Sequence, residues 1–291
     1  MTQETPHPAR APLRLSLLGG FSLVVGNRRA SLPIHAQRVL AYLSIVQPGR
    51  SAHLRLSLAE RLWSDATTER ALASLRTALW RIRQADKRLV WTSRDTVTLD
   101  EAVDVDVRRC AAQASRLLAD QSHLQPLDAD LSTLCGDLLP GWDEDWLLLE
   151  RERIHQVQIH ALEALSGRLR RVGRYGEAID VAYAAIAGEP LRESAHAALI
   201  DVFLAEENVA QARHHLEYYS AVLRAELGIQ PSSTLMNRVA GAAEGCAPAL
   251  PGRQNPTVTM MGMLAAGPDL KRDHGVIPRP RSRSGQSSHG A

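Results

Sequence analysis

Apolar and polar residues alternate over "LRLSLLGGFSLVVGN" (Leu13 to Asn27), which predicts two strands meeting at Gly19-Gly20, and "RRASLP" can supply a third short strand. Beyond Pro33 the period changes. Val39, Leu40, Leu43 and Val46 recur at helical spacing, and Pro48-Gly49 is expected to stop that helix. "SLAERLW" (Ser57 to Trp63) predicts a short helix with Ser57 as its N-cap and Glu60 three residues later. The polar turn "SDATTERA" follows. Leu72, Leu75, Leu79 and Ile82 then step by three, four and three, one apolar face of a helix over Arg70–Ala85. "LVWTSRDTVTLD" reads as two β-rich runs around Ser93-Arg94-Asp95. Strands, helix, helix, turn, helix and hairpin, in that order, make a helix-turn-helix with a terminal wing.

The polar side of the third helix carries Arg70, Ala73, Thr77, Trp80, Arg81 and Gln84, with Ser74 and Arg76 on its flanks. Such a face suits a DNA major groove. Small residues permit close approach, hydroxyls reach phosphates or bases, and a guanidinium can fork onto guanine. Ordinary solvated charge would give the same pattern. At the wing tip, Arg94 lies between Thr92 and Thr96, whose hydroxyls can reach phosphates.

From "VDVDVRRCAAQASRLLA" onward the pattern predicts helices. Ala178 and Ala212 stand 34 residues apart, the tetratricopeptide period. Gly173, Tyr175, Ala178, Ala182, Ala185 and Pro190 fall at that repeat's small, aromatic and terminating positions, while Glu207 replaces the glycine in a degenerate second copy. Leu165, Leu169, Ile179 and Leu199 are the expected core. Helix pairs stacked this way form a solenoid with a concave face. Residues 247–291, rich in Pro, Gly, Ser and Arg, predict a disordered tail. Its "RPRSRS" either adds nonspecific attraction to nucleic acid or only solubilises.

A net charge of +2 over 291 residues conceals an asymmetry. Residues 10–100 hold 15 basic and 6 acidic residues, a net of +9, whereas residues 101–246 hold 13 and 23, a net of −10. The first module suits nucleic acid and the second a different partner. Cys110, Cys135 and Cys246 form no CxxC pair or disulfide framework, which fits a reducing compartment. The N-terminus shows no secretory signal and no apolar run reaches membrane-spanning length, so a cytoplasmic protein without a membrane partner is expected.

The pieces "LRLSLLGGFSL", "LPIHAQRVLAYL", "LAERLW", "ALASLRTALWRIR" and "VTLDEAVDVDV" together resemble the OmpR/PhoB-type winged helix, specifically that of the Streptomyces antibiotic regulatory protein (SARP) family. "LLPGWDEDWLLLERERI", "GRYGEAI", "EPLRESAHAALI" and "AELGIQPSSTL" are similar to the bacterial transcriptional activation domain of the same family. The resemblance implies a mostly α fold: a winged helix-turn-helix with small β elements, then an all-α tetratricopeptide-like domain. The expected limits are a flexible N-terminus over 1–12, the winged helix over 13–103, the activation domain over 104–246 and the tail over 247–291. Double-stranded promoter DNA and RNA polymerase are the implied partners, with a homodimer as a further expectation. The DNA-binding set is Arg70, Ser74, Arg76, Thr77, Trp80, Arg81, Arg94 and Thr96. Arg81 matches a base-contacting arginine of the resembling helices, and Arg94 a wing arginine that enters the minor groove.

Sites for other chemistry are not found. Both lysines, Lys87 and Lys271, lie outside any Gly-Lys-Ser/Thr, so no P-loop is present, and GxGxxG, GxSxG and HExxH are absent. His155 and His160 do not share a helix face well, and His214-His215 point apart, so no metal site is expected. "WDEDW" places Asp143, Glu144 and Asp145 where the positive end of a helix would favour them. No cofactor and no catalysis are expected. An interaction adaptor whose winged helix no longer binds DNA is the second reading, weakened by the basic balance of the first module.

Overall fold

The computed structural model describes residues 11–46, 52–119 and 131–245. The chain opens with β1 (Leu13–Ser16), β2 (Ser22–Val25) and β3 (Arg28–Ala30). β1 and β2 pair antiparallel with Leu13 opposite Val25 and Leu15 opposite Leu23. Alternation buries Leu13, Leu15, Leu17 and Leu23 on one face. The turn between them needs its glycines, because Gly19 and Gly20 have φ of 78° and 133°.

Helix α1 (Ile34–Ile45) follows Pro33, and the Pro48-Gly49 stop lies outside the described residues. The short strand β4 (His53–Leu54) runs directly into α2 (Arg55–Leu62), then comes α3 (Thr68–Ala85). The expected Ser57 N-cap is corrected here. Leu54 is the extended residue before the first turn, no side chain caps it, and Ser57 lies inside α2. The helix begins earlier because β4 pairs with the wing, which places the strand end at Leu54. The wing itself is β5 (Val90–Thr92) and β6 (Thr96–Leu99), which with β4 makes a sheet of order β4-β6-β5.

"VDVDV" departs from the helical expectation. Val103–Val105 form β7, parallel to β1 with Leu13 beside Val103 and Leu15 beside Val105, and the first sheet has the order β3-β2-β1-β7. Only then does α4 (Asp106–Ala119) begin. The remaining described elements are α5 (Leu131–Leu134), α6 (Asp145–Arg171), α7 (Tyr175–Gly188), α8 (Glu193–Ala205), α9 (Val209–Leu227) and α10 (Ser233–Gly245).

The helix pairs α6–α7 and α8–α9 carry the repeat. Ala178 and Ala212 occupy equivalent buried positions on α7 and α9. Gly173 turns between α6 and α7 at φ 76°, and Glu207 takes the same left-handed conformation at φ 60° between α8 and α9. Leu165, Leu169 and Leu199 are buried and Ile179 packs against the same cores. The tail over 247–291 lies outside the described residues.

One apolar core runs through the winged helix and onward into Leu138, Leu139, Trp146, Leu147 and Ile154. Polar links reinforce it. The Asp106 carboxylate accepts N–H bonds from Leu17 (2.8 Å) and Leu18 (3.0 Å). Gly19 and Leu139 donate across the junction to Asp137 and Leu17. Arg151 donates to the carbonyls of Leu138, Leu139 and Trp142, which fixes the loop entering α6. The two tryptophans of "WDEDW" complete the seam, Trp142 stacked on Phe21 and Trp146 edge-on to Tyr42. The described residues therefore fall within one compact unit.

Candidate nucleic-acid interface

Helix α3 buries Ala71, Leu75, Ala78, Leu79 and Ile82 and leaves its other side to solvent. That side presents Arg70, Ala73, Arg76, Thr77, Trp80, Arg81, Arg83 and Gln84, all exposed, with Ser74 half-buried at its edge. The apolar stripe dictates this outcome, since residues three and four apart share a face. The Thr77 hydroxyl donates back to the Ala73 carbonyl at 3.1 Å, which leaves its lone pairs outward. Trp80 is 53% exposed, and the Arg81 guanidinium lies over its ring at 4.8 Å. Such stacking holds a guanidinium plane flat against a π-face with its edge N–H groups free.

The wing stands beside this face. Arg83 of α3 donates to the Thr92 hydroxyl at 3.5 Å, so helix and wing touch on one flank. At the tip, Arg55 fixes two of the three turn residues: its backbone N–H donates to Asp95, and its side chain to the Ser93 carbonyl. Arg94, between them, is exposed. The Thr96 hydroxyl is bonded to that of Ser93 at 2.7 Å, and Thr96 is half-exposed. Trp91, 69% exposed, donates its indole N–H to Asp100.

Several arginines of the basic module are already paired. Arg88 holds Asp86 at 2.7 Å, and this hydrogen bond keeps the Asp86 carboxyl below its usual range. Arg38 meets Glu144 at 2.6 Å. The acidic "WDEDW" run is thus partly an ion pair to α1, with Asp145 in the first turn of α6. Among the described residues, α3, the wing tip and the β2–β3 hairpin all carry exposed arginines. On the flank of α3 away from the wing, Arg81 and Gln84 share a groove of about 440 Å³ with Arg28 and Arg29. The sequence pattern did not single out Arg28, Arg29 or Arg83. The signal for Arg83 was its i+7 spacing from Arg76, whereas the approach of the hairpin to α3 is nonlocal.

Elsewhere the titratable groups are structural. Burial lowers His215 to about 4, and His196, 3.0 Å away, is lowered by burial too. His155 lies 3.5 Å from Glu189, and His160 meets Arg192. Burial pushes the Cys110 thiol up to about 11, which keeps it protonated. Among the described residues no cluster of His, Cys, Asp and Glu could hold a metal ion, and no helix is long and apolar enough to cross a membrane.

Residues 103–240 match the family described as the bacterial transcriptional activator domain, just under half of the chain. No curated protein matches the sequence. Among solved structures, Mycobacterium tuberculosis EmbR, in complex with a low-affinity phosphopeptide, is similar with a TM-score of 0.59 at 17% identity. The likeness covers 80% of this chain and 65% of that one, so this chain spans somewhat less than two thirds of EmbR. That likeness is one of fold, a winged helix joined to stacked helices. The chain therefore carries, behind a winged helix, a region that matches the bacterial transcriptional activator domain, in a fold similar to that of EmbR.

Proposed function

We propose that this regulator is a sequence-specific DNA-binding activator. Helix α3 enters the major groove of promoter DNA, with Arg76, Thr77 and Arg81 at bases or adjacent phosphates and Arg70 and Ser74 at the backbone. Trp80 supports Arg81 by stacking and covers a sugar or a thymine methyl. Arg94 enters the neighbouring minor groove from the wing. The helical repeats supply the surface for RNA polymerase or a second copy of the chain, and the protein works in the cytoplasm without cofactor or catalysis. The observation that carries this reading is the exposed α3 face of four arginines, a threonine and a tryptophan, linked through Arg83 and Thr92 to an arginine-tipped wing.

The test has two steps. Genomic fragments retained by the full chain are sequenced to find a shared site, and a mobility-shift series over salt is then run on that site. A steep inverse dependence of affinity on salt is expected, because each neutralised phosphate releases counterions. Arg81→Ala should weaken binding by about 1–3 kcal/mol and relax preference at one base position. Equal weakening on every sequence would make Arg81 a phosphate contact. Failure to retain any fragment, with a normally folded chain, would favour the adaptor reading.

A further inference from the structure

Helix α3 is bracketed on both flanks. The wing lies on the side of Arg83. On the other side stands the β2–β3 hairpin, whose Arg28 and Arg29 face Arg81 and Gln84 across the 440 Å³ groove. Among the described residues, no carboxylate lines this groove. Arg29 donates its Nε–H to the Ser22 hydroxyl at 3.1 Å, and Arg28 and Arg29 are both exposed. Three guanidinium groups around one open groove repel one another unless an anion sits among them.

Geometry selects the anion. An α-helix with its side chains is about 10–12 Å across and the major groove about 12 Å wide, so a helix lying in it has a phosphate backbone along each flank. The wing meets one of those backbones. The second must run past the opposite flank of α3, where the hairpin stands. We propose that Arg28 and Arg29 bind phosphates of that second backbone, so that the β2–β3 hairpin and the wing grip the duplex from opposite sides of α3. The proposal rests on the DNA reading of α3. β3 is also the free edge of its sheet, and arginine there could serve only to stop edge-to-edge pairing.

The full chain with Arg28→Gln and Arg29→Gln together is compared with wild type on the selected site and on a scrambled duplex of equal length. Matching circular-dichroism spectra and melting temperatures establish that the variant is folded. Arg28→Lys with Arg29→Lys serves as the charge-retaining companion. Loss of two phosphate contacts should flatten the logarithmic salt slope by about 2, which is roughly a tenfold smaller loss of affinity for the variant between 50 and 200 mM salt. The ratio of specific to scrambled binding should stay at its wild-type value, since phosphates carry no sequence. The lysine variant should keep most of the slope. An unchanged slope in the glutamine variant would overturn the proposal and leave the arginines as edge protection. A loss of sequence preference would overturn it in favour of base contacts. Wild type that fails to shift any duplex would instead defeat the DNA reading of α3 and this proposal with it.

Discussion

At the scale of single residues, Asp106 ties the end of β1 to the start of α4. Its carboxylate takes the N–H groups of Leu17 and Leu18 at the end of β1 and also that of Val107 at the start of α4. Asp106→Ala would leave two backbone donors buried without an acceptor, at a cost of about 2–4 kcal/mol. Urea denaturation is the measurement, and Asp106→Asn, which keeps one acceptor, should lose less. Arg94 acts in a different way: it is exposed and makes no hydrogen bond or ion pair among the described residues. Arg94→Ala should leave stability unchanged and abolish any preference for A·T over G·C sequence flanking a shared core site, as a narrow A·T minor groove draws arginine by its potential. Retention of the wild-type flank preference would place Arg94 outside the groove. The exposure of Arg81 on the polar side of α3 was legible from periodicity. Its stacking on Trp80 was not, because adjacent residues on a helix point about 100° apart and only χ angles bring the two side chains together.

At the scale of elements, local pattern reached as far as local forces do. The three strands, α1, α3 and the wing follow from alternation, helical spacing and turn residues, each decided within a dozen positions. Misplaced features are those set by distant partners. Ser57 looked like a cap because it precedes "LAERLW", yet β4 pairing with β6 moved the helix start to Arg55. "VDVDV" alternates as a strand should, but its partner β1 is about ninety residues away. The buried His196–His215 pair joins α8 to α9 and has no signature within either helix. The same nonlocality bears on the expectation that residues 104–246 fold alone. A cut there strips β7 of β1 and uncovers Leu138, Leu139, Trp146 and Leu147, whose core lies mostly upstream. The fragment should still give a helical circular-dichroism spectrum, because α6 to α9 pack on one another, and should shift no DNA. Its thermal transition should fall below that of the full chain. Equal melting temperatures for fragment and full chain would show that the shared core contributes little.

At the scale of the whole molecule, acid should act through the repeats. His215 and His196 are held neutral by burial, with Tyr219 stacked on His196 at 3.9 Å. The unfolded chain takes up protons on both from about pH 6.5. Their contribution to stability is therefore complete above that value and is lost as pH falls toward the depressed value of about 4 for His215. The melting temperature of wild type should decline through this window more steeply than that of His215→Phe, and parallel curves would assign acid lability elsewhere. The continuous core has a further consequence. Because the described residues of the winged helix share one core with Leu138, Leu139, Trp146, Leu147 and Ile154, a DNA-bound copy would present its helical repeats at one angle around the duplex axis. Promoter output should then follow the helical repeat: inserting about half a turn between the binding site and the start of transcription should silence a reporter, and a full turn of about 10 base pairs should restore it.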